Sequence, residues 1–432
     1  MHPKHRHPKG GRVRKIIGIV LSALVVLGYV SPPATFLRGL PETMTLALGQ
    51  EAVVNGGFPL SISVKQGDVQ ALSSMDESLG GTRLKAGSQG KSTATINLFG
   101  LLPLKDVEID VQDELRLYPG GQAVGVALYT QGVLVVGTSD LSGGEGQSPA
   151  RLAGLKAGDV ITRVNGETLQ GTAQLQNLLN ASGDKPLPLT VKRGDSLLEL
   201  ILSPQRDRQS GLYRIGAWVR DSTAGVGTLS FYGQVHQKGQ STPPGITYGA
   251  LGHAITDSDT QQILTVDRGE ILLADVVDVR KGKRGVPGEL KGSFLRENRV
   301  LGDIVLNNQF GIYGGLTDPP KHPLYPEGLP IGRKDGVHVG PATILSTVDA
   351  GGMKEYAVEI MEVNRQSAPS PRSMVLKVTD PELLEKTGGI IQGMSGSPII
   401  QDGRLIGAVT HVYVNDPTMG YGLFIEWMLA QN

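Results

Sequence analysis

Near the C-terminal end of the chain, Gly393-Met394-Ser395-Gly396-Ser397-Pro398 sets a serine between glycines, ahead of a proline. Glycine at 393 permits backbone dihedrals that side chains forbid. A turn of that kind can aim the amides of Gly393 and Ser395 at one point, where a carbonyl oxygen would gain negative charge during attack. Ser395 is then a candidate nucleophile, given a histidine within reach. The same hexamer also has the composition of an ordinary turn. Downstream, Asp402-Gly403 between the apolar runs Ile399-Ile400 and Leu405-Ile406-Gly407-Ala408-Val409 predicts a tight β-hairpin.

Histidine supplies the matching base near neutral pH. His253 follows Tyr248-Gly249-Ala250-Leu251-Gly252, a strand ending in a glycine step that can turn an imidazole into a cleft. His411, within the alternating Val409-Thr410-His411-Val412-Tyr413-Val414, reads as a wall of the site. His236, His322 and His338 fall in polar or Pro/Gly-rich loops and read as solvated. An acid holding the other imidazole N–H would complete a triad. Asp257, Asp259, Asp303, Asp349 and Asp380 all lie between His253 and Ser395, and spacing does not choose among them. Asp380 precedes Pro381 and has a second reading, as the N-cap of a helix over 382–386.

The elements that must position these residues are short and mostly β. The 432 residues exceed one core and predict two or three domains. Sixty glycines among valine-rich runs fit strands joined by tight turns, and the absence of cysteine excludes disulfides, zinc-thiolate sites and a cysteine nucleophile. With 41 basic and 41 acidic residues the chain has no bulk affinity for nucleic acid. No His-Glu-x-x-His spacing occurs, so no metal and no cofactor is expected.

Residues 1–15 carry six Lys or Arg and no acid, ahead of an apolar run over 16–30 closed by Pro32-Pro33. That order predicts a cytoplasmic basic tail (1–15) and a transmembrane signal-anchor (16–30), with the remainder exported. Short strands at 43–48, 60–64, 92–98 and 107–111 predict a small β domain over 31–117. Ser148-Pro149-Ala150, Ala153-Gly154-Leu155-Lys156-Ala157-Gly158-Asp159-Val160-Ile161 and Val164-Asn165-Gly166 resemble a PDZ domain of the bacterial protease type, covering 118–204. A peptide C-terminus, or a segment of the chain itself, would pair with the strand from Val126, its carboxylate held near Gly125, Val126, Ala127 and Leu128. Arg206 and Arg208 mark a short linker, and 210–432 reads as one β-rich peptidase unit. Arg280-Lys281-Gly282-Lys283-Arg284 is a basic loop suited to solvent or to anionic headgroups.

The run Tyr213-Arg214-Ile215-Gly216-Ala217-Trp218-Val219-Arg220-Asp221, Gly252-His253 and Gly393-Met394-Ser395-Gly396-Ser397-Pro398 closely resemble the stage IV sporulation protein B family, PDZ-containing serine peptidases of endospore-forming bacteria. The resemblance implies a chymotrypsin-like double β-barrel with His253 as base, Ser395 as nucleophile and Asp380, in Lys377-Val378-Thr379-Asp380-Pro381, as orienting acid. It also implies a membrane-anchored extracytoplasmic protein in the forespore intermembrane space. There it would cleave a membrane-bound inhibitor of an intramembrane metalloprotease that matures a late sigma factor, and would cleave itself near its N-terminus. A catalytically idle PDZ scaffold and a general quality-control protease are the alternatives.

Overall fold

The computed structural model describes residues 31–431 apart from 41, 48–50, 55–57, 66–71, 79–80, 113, 142–146, 236–244 and 295–299. The expected tail (1–15) and anchor (16–30), and His236, lie outside the described residues; among the described residues no helix is long and apolar enough to cross a membrane. The chain forms two compact units that part between Leu115 and Arg116, against an expected boundary after 117.

Among its described residues the first unit is mostly β, with a helix at Pro32–Gly39. Strands Thr43–Ala47, Leu102–Gln112, Gly90–Leu98 and Leu60–Lys65 lie side by side in that order. Alternating apolar positions (Leu60 and Ile62; Ala94 and Ile96; Val107, Ile109 and Val111) share one buried face, as the period of two requires.

In the second unit two strands do most of the organising: β1 (Ala123–Thr138) and β2 (Ala217–Gly233). Their antiparallel pairing runs from Ala123↔Thr228 to Thr138↔Ala217. Over 123–130, β1 pairs on its other side with β4 (Val266–Leu273). Pairing then passes from β4 to β5 (Val300–Asp303), β6 (Gly311–Leu316), β3 (Ile246–Ala250) and back to β2, closing a ring of six strands. A second closed barrel contains β7 (Gly340–Thr347), β8 (Met353–Val363), β9 (Met374–Val378), β12 (Asp416–Phe424), β11 (Arg404–Tyr413) and β10 (Pro398–Gln401), in that order. Strand β8 shows the rule behind it: Tyr356, Val358 and Ile360 point inward, while Glu355, Ala357 and Glu359 face water. The hairpin between β10 and β11 turns at Asp402 (φ 50°) and Gly403 (φ 70°), the geometry a two-residue loop needs.

The outer half of β1 serves a different layer. Val133–Thr138 joins strands Val160–Val164, Leu187–Arg193 and Ser196–Leu202, with helix α1 (Thr172–Ser182) packed on them through Leu175 and Leu179. This layer is the PDZ segment. It was expected to end near 204 and to be linked through Arg206 and Arg208, but the chain does not break there. Gln205–Arg206 pairs with Tyr213–Arg214, and β2 returns along β1 to serve both layers.

The expected peptidase unit over 210–432 therefore lacks a stave of its own first barrel. Val124, Val126 and Leu128 are fully buried there. At about 1.5–3 kcal/mol for each buried aliphatic side chain, their loss is comparable with the whole stability of a domain. We expect a fragment of residues 210–432 to show no cooperative thermal unfolding by circular dichroism, and a fragment of 116–432 to melt cooperatively. A cooperative melt of the shorter fragment would refute the shared-strand architecture.

Candidate active site

The nucleophile turn and the histidine turn meet on one residue of β2, Thr228. Its amide donates to the Ser395 carbonyl (3.0 Å), its Oγ1 donates to the Gly393 carbonyl (2.8 Å), and its own carbonyl accepts from the Leu251 amide (3.2 Å). Thr228 is buried, so these bonds act in a low-dielectric setting where an unmet partner is costly. Gly396 makes the approach possible. It has φ 98°, and a Cβ there would lie 2.1 Å from the Thr228 carbonyl oxygen. Gly393 has φ 97°. Among the described residues neither the Gly393 amide nor the Ser395 amide donates within the chain, so both are free to serve an oxyanion.

The histidine turn is strained as well as pinned. Leu251 (φ 71°) and Gly252 (φ 68°) are consecutive left-handed residues, an unusual conformation for leucine. Beyond His253, Asn307 holds the loop in place: its Oδ1 accepts from the Ile255 amide, and its Nδ2 donates to the carbonyls of Ile255 and Leu264. His253 and Ser395 line one cavity of about 830 Å³. The His253 Nδ1 lies 2.8 Å from the Ala254 carbonyl oxygen. That oxygen only accepts, so Nδ1 carries the proton in the neutral ring and Nε2 is the basic nitrogen. Burial lowers the His253 pKa from its ordinary value, partly offset by the Ala254 carbonyl. Ser395 Oγ donates to the Thr410 carbonyl (2.7 Å).

His411 stands where a cleft wall was expected, its ring centroid 5.1 Å from that of His253. Its pKa is also lowered, by desolvation first and then by the neighbouring His253 and Arg372. Among the described residues no Asp, Glu, Lys or Arg lines the cavity, whose wall includes Leu251, Ile263, Pro287, Ile390, Val412 and Val414.

None of the five acids considered from the sequence bonds to His253. Asp380 takes up its capping reading: Oδ1 accepts from the Leu383 amide (2.9 Å) at the start of α2 (Pro381–Thr387), and Oδ2 from the Ala357 amide (3.3 Å). Asp257 is buried; burial favours its neutral form, but donors from Thr260, Asp259 and Arg220 lower its pKa overall. Asp259 also meets Arg220, Asp303 accepts from the Gly315 amide, and Asp349 pairs with Lys386.

Two further expectations are corrected. Gly125, Val126, Ala127 and Leu128 cannot receive a peptide strand, because both edges of β1 are already paired there: Val126 faces Gly225 on one side and Ile271 on the other. The slot beside α1 instead runs along residues 215–219, a cavity of about 330 Å³ lined by Leu175, Leu179, Ile215, Ala217 and Val219. Its loop is tied to α1, since Gln176 Nε2 donates to the Tyr213 carbonyl and Asn180 Oδ1 accepts from the Tyr213 amide. His322, expected to be solvated, is buried with Nδ1 accepting from the Leu324 and Tyr325 amides. His338 is exposed and pairs with Asp402 at 2.9 Å.

A serine on a glycine turn and a histidine on a second turn, sharing a cleft beside two six-stranded rings, define a serine endopeptidase that also carries a PDZ segment. The chain belongs to the SpoIVB peptidase S55 family, whose model matches residues 211–429. A PDZ domain model matches residues 143–193. A curated relative from Treponema pallidum (strain Nichols), named "Putative zinc metalloprotease", is 30% identical over 71 residues; the match spans 16% of this chain and 16% of that protein's length. Among solved structures, the PDZ domain of an SdrC-like protein from Listeria monocytogenes is similar at 20% identity and TM-score 0.18, covering 21% of this chain and 87% of that one. The active form of the Rv3671c protease from M. tuberculosis is similar at 16% identity and TM-score 0.23, covering 48% and 73%.

Substitutions separate these roles. Asp380→Asn preserves a good helix cap, so activity should stay within about threefold of the parent, while Asp380→Ala should cost about 0.5–2 kcal/mol of stability. A loss with Asp380→Asn near the ten-thousandfold that follows removal of an orienting carboxylate would overturn the capping assignment. Thr228→Val leaves the Gly393 carbonyl unmet and should lower kcat/KM by at least about tenfold with about 1–3 kcal/mol of destabilisation. Thr228→Ser, which keeps the hydroxyl, should restore most of both.

Proposed function

We propose that Ser395 and His253 perform acyl transfer on peptide bonds, with the amides of Gly393 and Ser395 as the oxyanion site. The observation that carries this reading is the joint clamp of both turns by Thr228, with the two free amides beside Ser395. Ser395 Oγ turns from the Thr410 carbonyl and attacks the substrate carbonyl carbon while its proton passes to His253 Nε2. The negative oxygen of the tetrahedral intermediate is met by the two amides. His253 then gives the proton to the departing amine as the C–N bond breaks, and water repeats the cycle on the acyl-enzyme. The Ala254 carbonyl fixes the tautomer of His253, so in this reading the pair works as a dyad, without Asp380.

The family supports a biological setting: an exported peptidase of sporulation, tethered by residues 16–30. It acts between mother cell and forespore on a membrane-associated regulatory protein, and so frees intramembrane processing of a late sigma factor. Self-cleavage near the N-terminus releases it. In the domain plan, 31–115 is a separate β unit, and the PDZ segment and barrels share strands β1 and β2. An extended peptide C-terminus enters the slot along Ile215–Val219 rather than the strand at Gly125–Leu128. An idle scaffold is the competing reading, and the hydrogen bond of Ser395 to Thr410 rather than to His253 favours it.

A fluorophosphonate probe decides between them, because only an activated serine reacts. We expect covalent labelling that is lost in Ser395→Ala and reduced at least about a hundredfold in His253→Ala. The base must be neutral to accept the proton, so the rate should fall as pH drops through the His253 pKa. That pKa is lowered from 6.5, which places the midpoint of the acid limb below 6.5. An unlabelled, folded protein would establish the scaffold reading.

A further inference from the structure

The loop Arg280–Arg284 lies outside the chemistry described above, yet it is fastened to both walls of the cleft. Within it, Lys283 and Val286 exchange main-chain hydrogen bonds around a tip at Arg284-Gly285. The Gly285 amide donates to the Val414 carbonyl (2.8 Å), and Val414 lines the cavity. On the other wall, the Gln392 amide donates to the Gly288 carbonyl and the Leu290 amide donates to the Gln392 carbonyl. Gln392 adjoins Gly393 of the nucleophile turn, and Pro287 lines the cavity between the two anchor points. The loop is thus a fixed rim rather than a free tether.

Its charge is lopsided. Arg280 pairs with Glu289 at 3.2 Å. Among the described residues no acid pairs with Lys281, Lys283 or Arg284, and all three are exposed. Among the described residues the interior of the cleft beside them carries no Asp, Glu, Lys or Arg. Placing a charge in such an interior without a partner is costly, whereas an acidic side chain at the rim would gain up to three cations without leaving water.

We propose that Lys281, Lys283 and Arg284 are specificity determinants that select substrates with uncharged, apolar residues at the scissile bond and an acidic run beside it. This rests on the peptidase reading of Ser395 and names the substrate class for it. Exposed pairs are individually weak and salt-sensitive, so the rim should act on encounter and KM rather than on the chemical step.

The test uses the full chain and a neutral apolar peptide found to be cleaved in a peptide mixture. It is compared with the same peptide extended by glutamates, or by lysines, on either side of the scissile bond. We expect the glutamate extension on one side to lower KM about tenfold at low salt with kcat unchanged, and the lysine extension to raise it. The advantage should vanish at about 0.5 M salt, where screening is nearly complete over a few ångströms. The triple charge reversal Lys281→Glu, Lys283→Glu, Arg284→Glu should reverse the preference, while turnover of the neutral peptide and fluorophosphonate labelling stay at the parent level. Equal KM values for all peptides, or a preference that survives the triple reversal, would overturn the proposal. So would a triple variant that treats the peptides as the parent does but no longer binds anionic phosphatidylglycerol vesicles, since the rim would then be a lipid contact. Loss of labelling in the parent would instead count against the peptidase reading.

Discussion

The arrangement of the site depends on one buried threonine. Serine peptidase chemistry needs two turns, far apart in sequence, held to a fraction of an ångström. Thr228 uses all three of its polar groups for this. Two reach the turn of Ser395 and the third reaches the turn of His253. A bare main-chain contact could have joined the turns, but the hydroxyl adds a bond to the Gly393 carbonyl, between the two amides proposed to hold the oxyanion. Gly396 is the complementary constraint, since any side chain there would occupy the space of the Thr228 carbonyl.

That clamp is only as rigid as the strand that carries it. β2 is paired along most of its length with β1, from the PDZ layer into the first ring, with register shifts between Trp218 and Val219 and between Arg220 and Ser222. The edge of the slot beside α1, at Ala217 and Val219, and the clamp at Thr228 are parts of one strand. A conventional hinge between modules would have left the two independent. Here the same two strands serve both, and over the regular stretch from Ser222↔Tyr129 to Thr228↔Ala123 a one-residue slip would turn Thr228 away from both turns.

Much of this was legible from local pattern. The glycine turn around Ser395, the Asp402-Gly403 hairpin and the capping alternative for Asp380 all rest on short-range chemistry, and sequence shows such chemistry directly. The misassigned pieces depend on partners distant in the chain. Val124-Gly125-Val126 has the same apolar pattern whether it edges a groove or closes a barrel, and only its pairing with Gly225 and Ile271 distinguishes the two. Thr228 and Asn307 carry no motif, because a threonine in a strand and an asparagine in a turn are ordinary in themselves. His322 sits in a Pro-rich loop and reads as solvated from composition; in the fold it is buried, with Nδ1 accepting from the Leu324 and Tyr325 amides and the Gly120 backbone also against it.

The environment of His253 has a further consequence. A carboxylate partner would raise an imidazole's pKa by stabilising the imidazolium, whereas a carbonyl dipole does so less. In this site burial outweighs the Ala254 carbonyl, and the pKa moves down. The ring is consequently neutral at physiological pH and ready to accept a proton, but it is a weaker base than one backed by an acid. The neighbouring His411 adds no stabilisation, since a second imidazole that became charged would repel the first. On the dyad reading proposed above, what is given up in basicity must be recovered from position, which is the property that the Thr228 clamp and the three bonds of Asn307 supply. The two turns are held more elaborately than the histidine is charged, and the rate of such an enzyme would depend more on geometry than on the strength of its base.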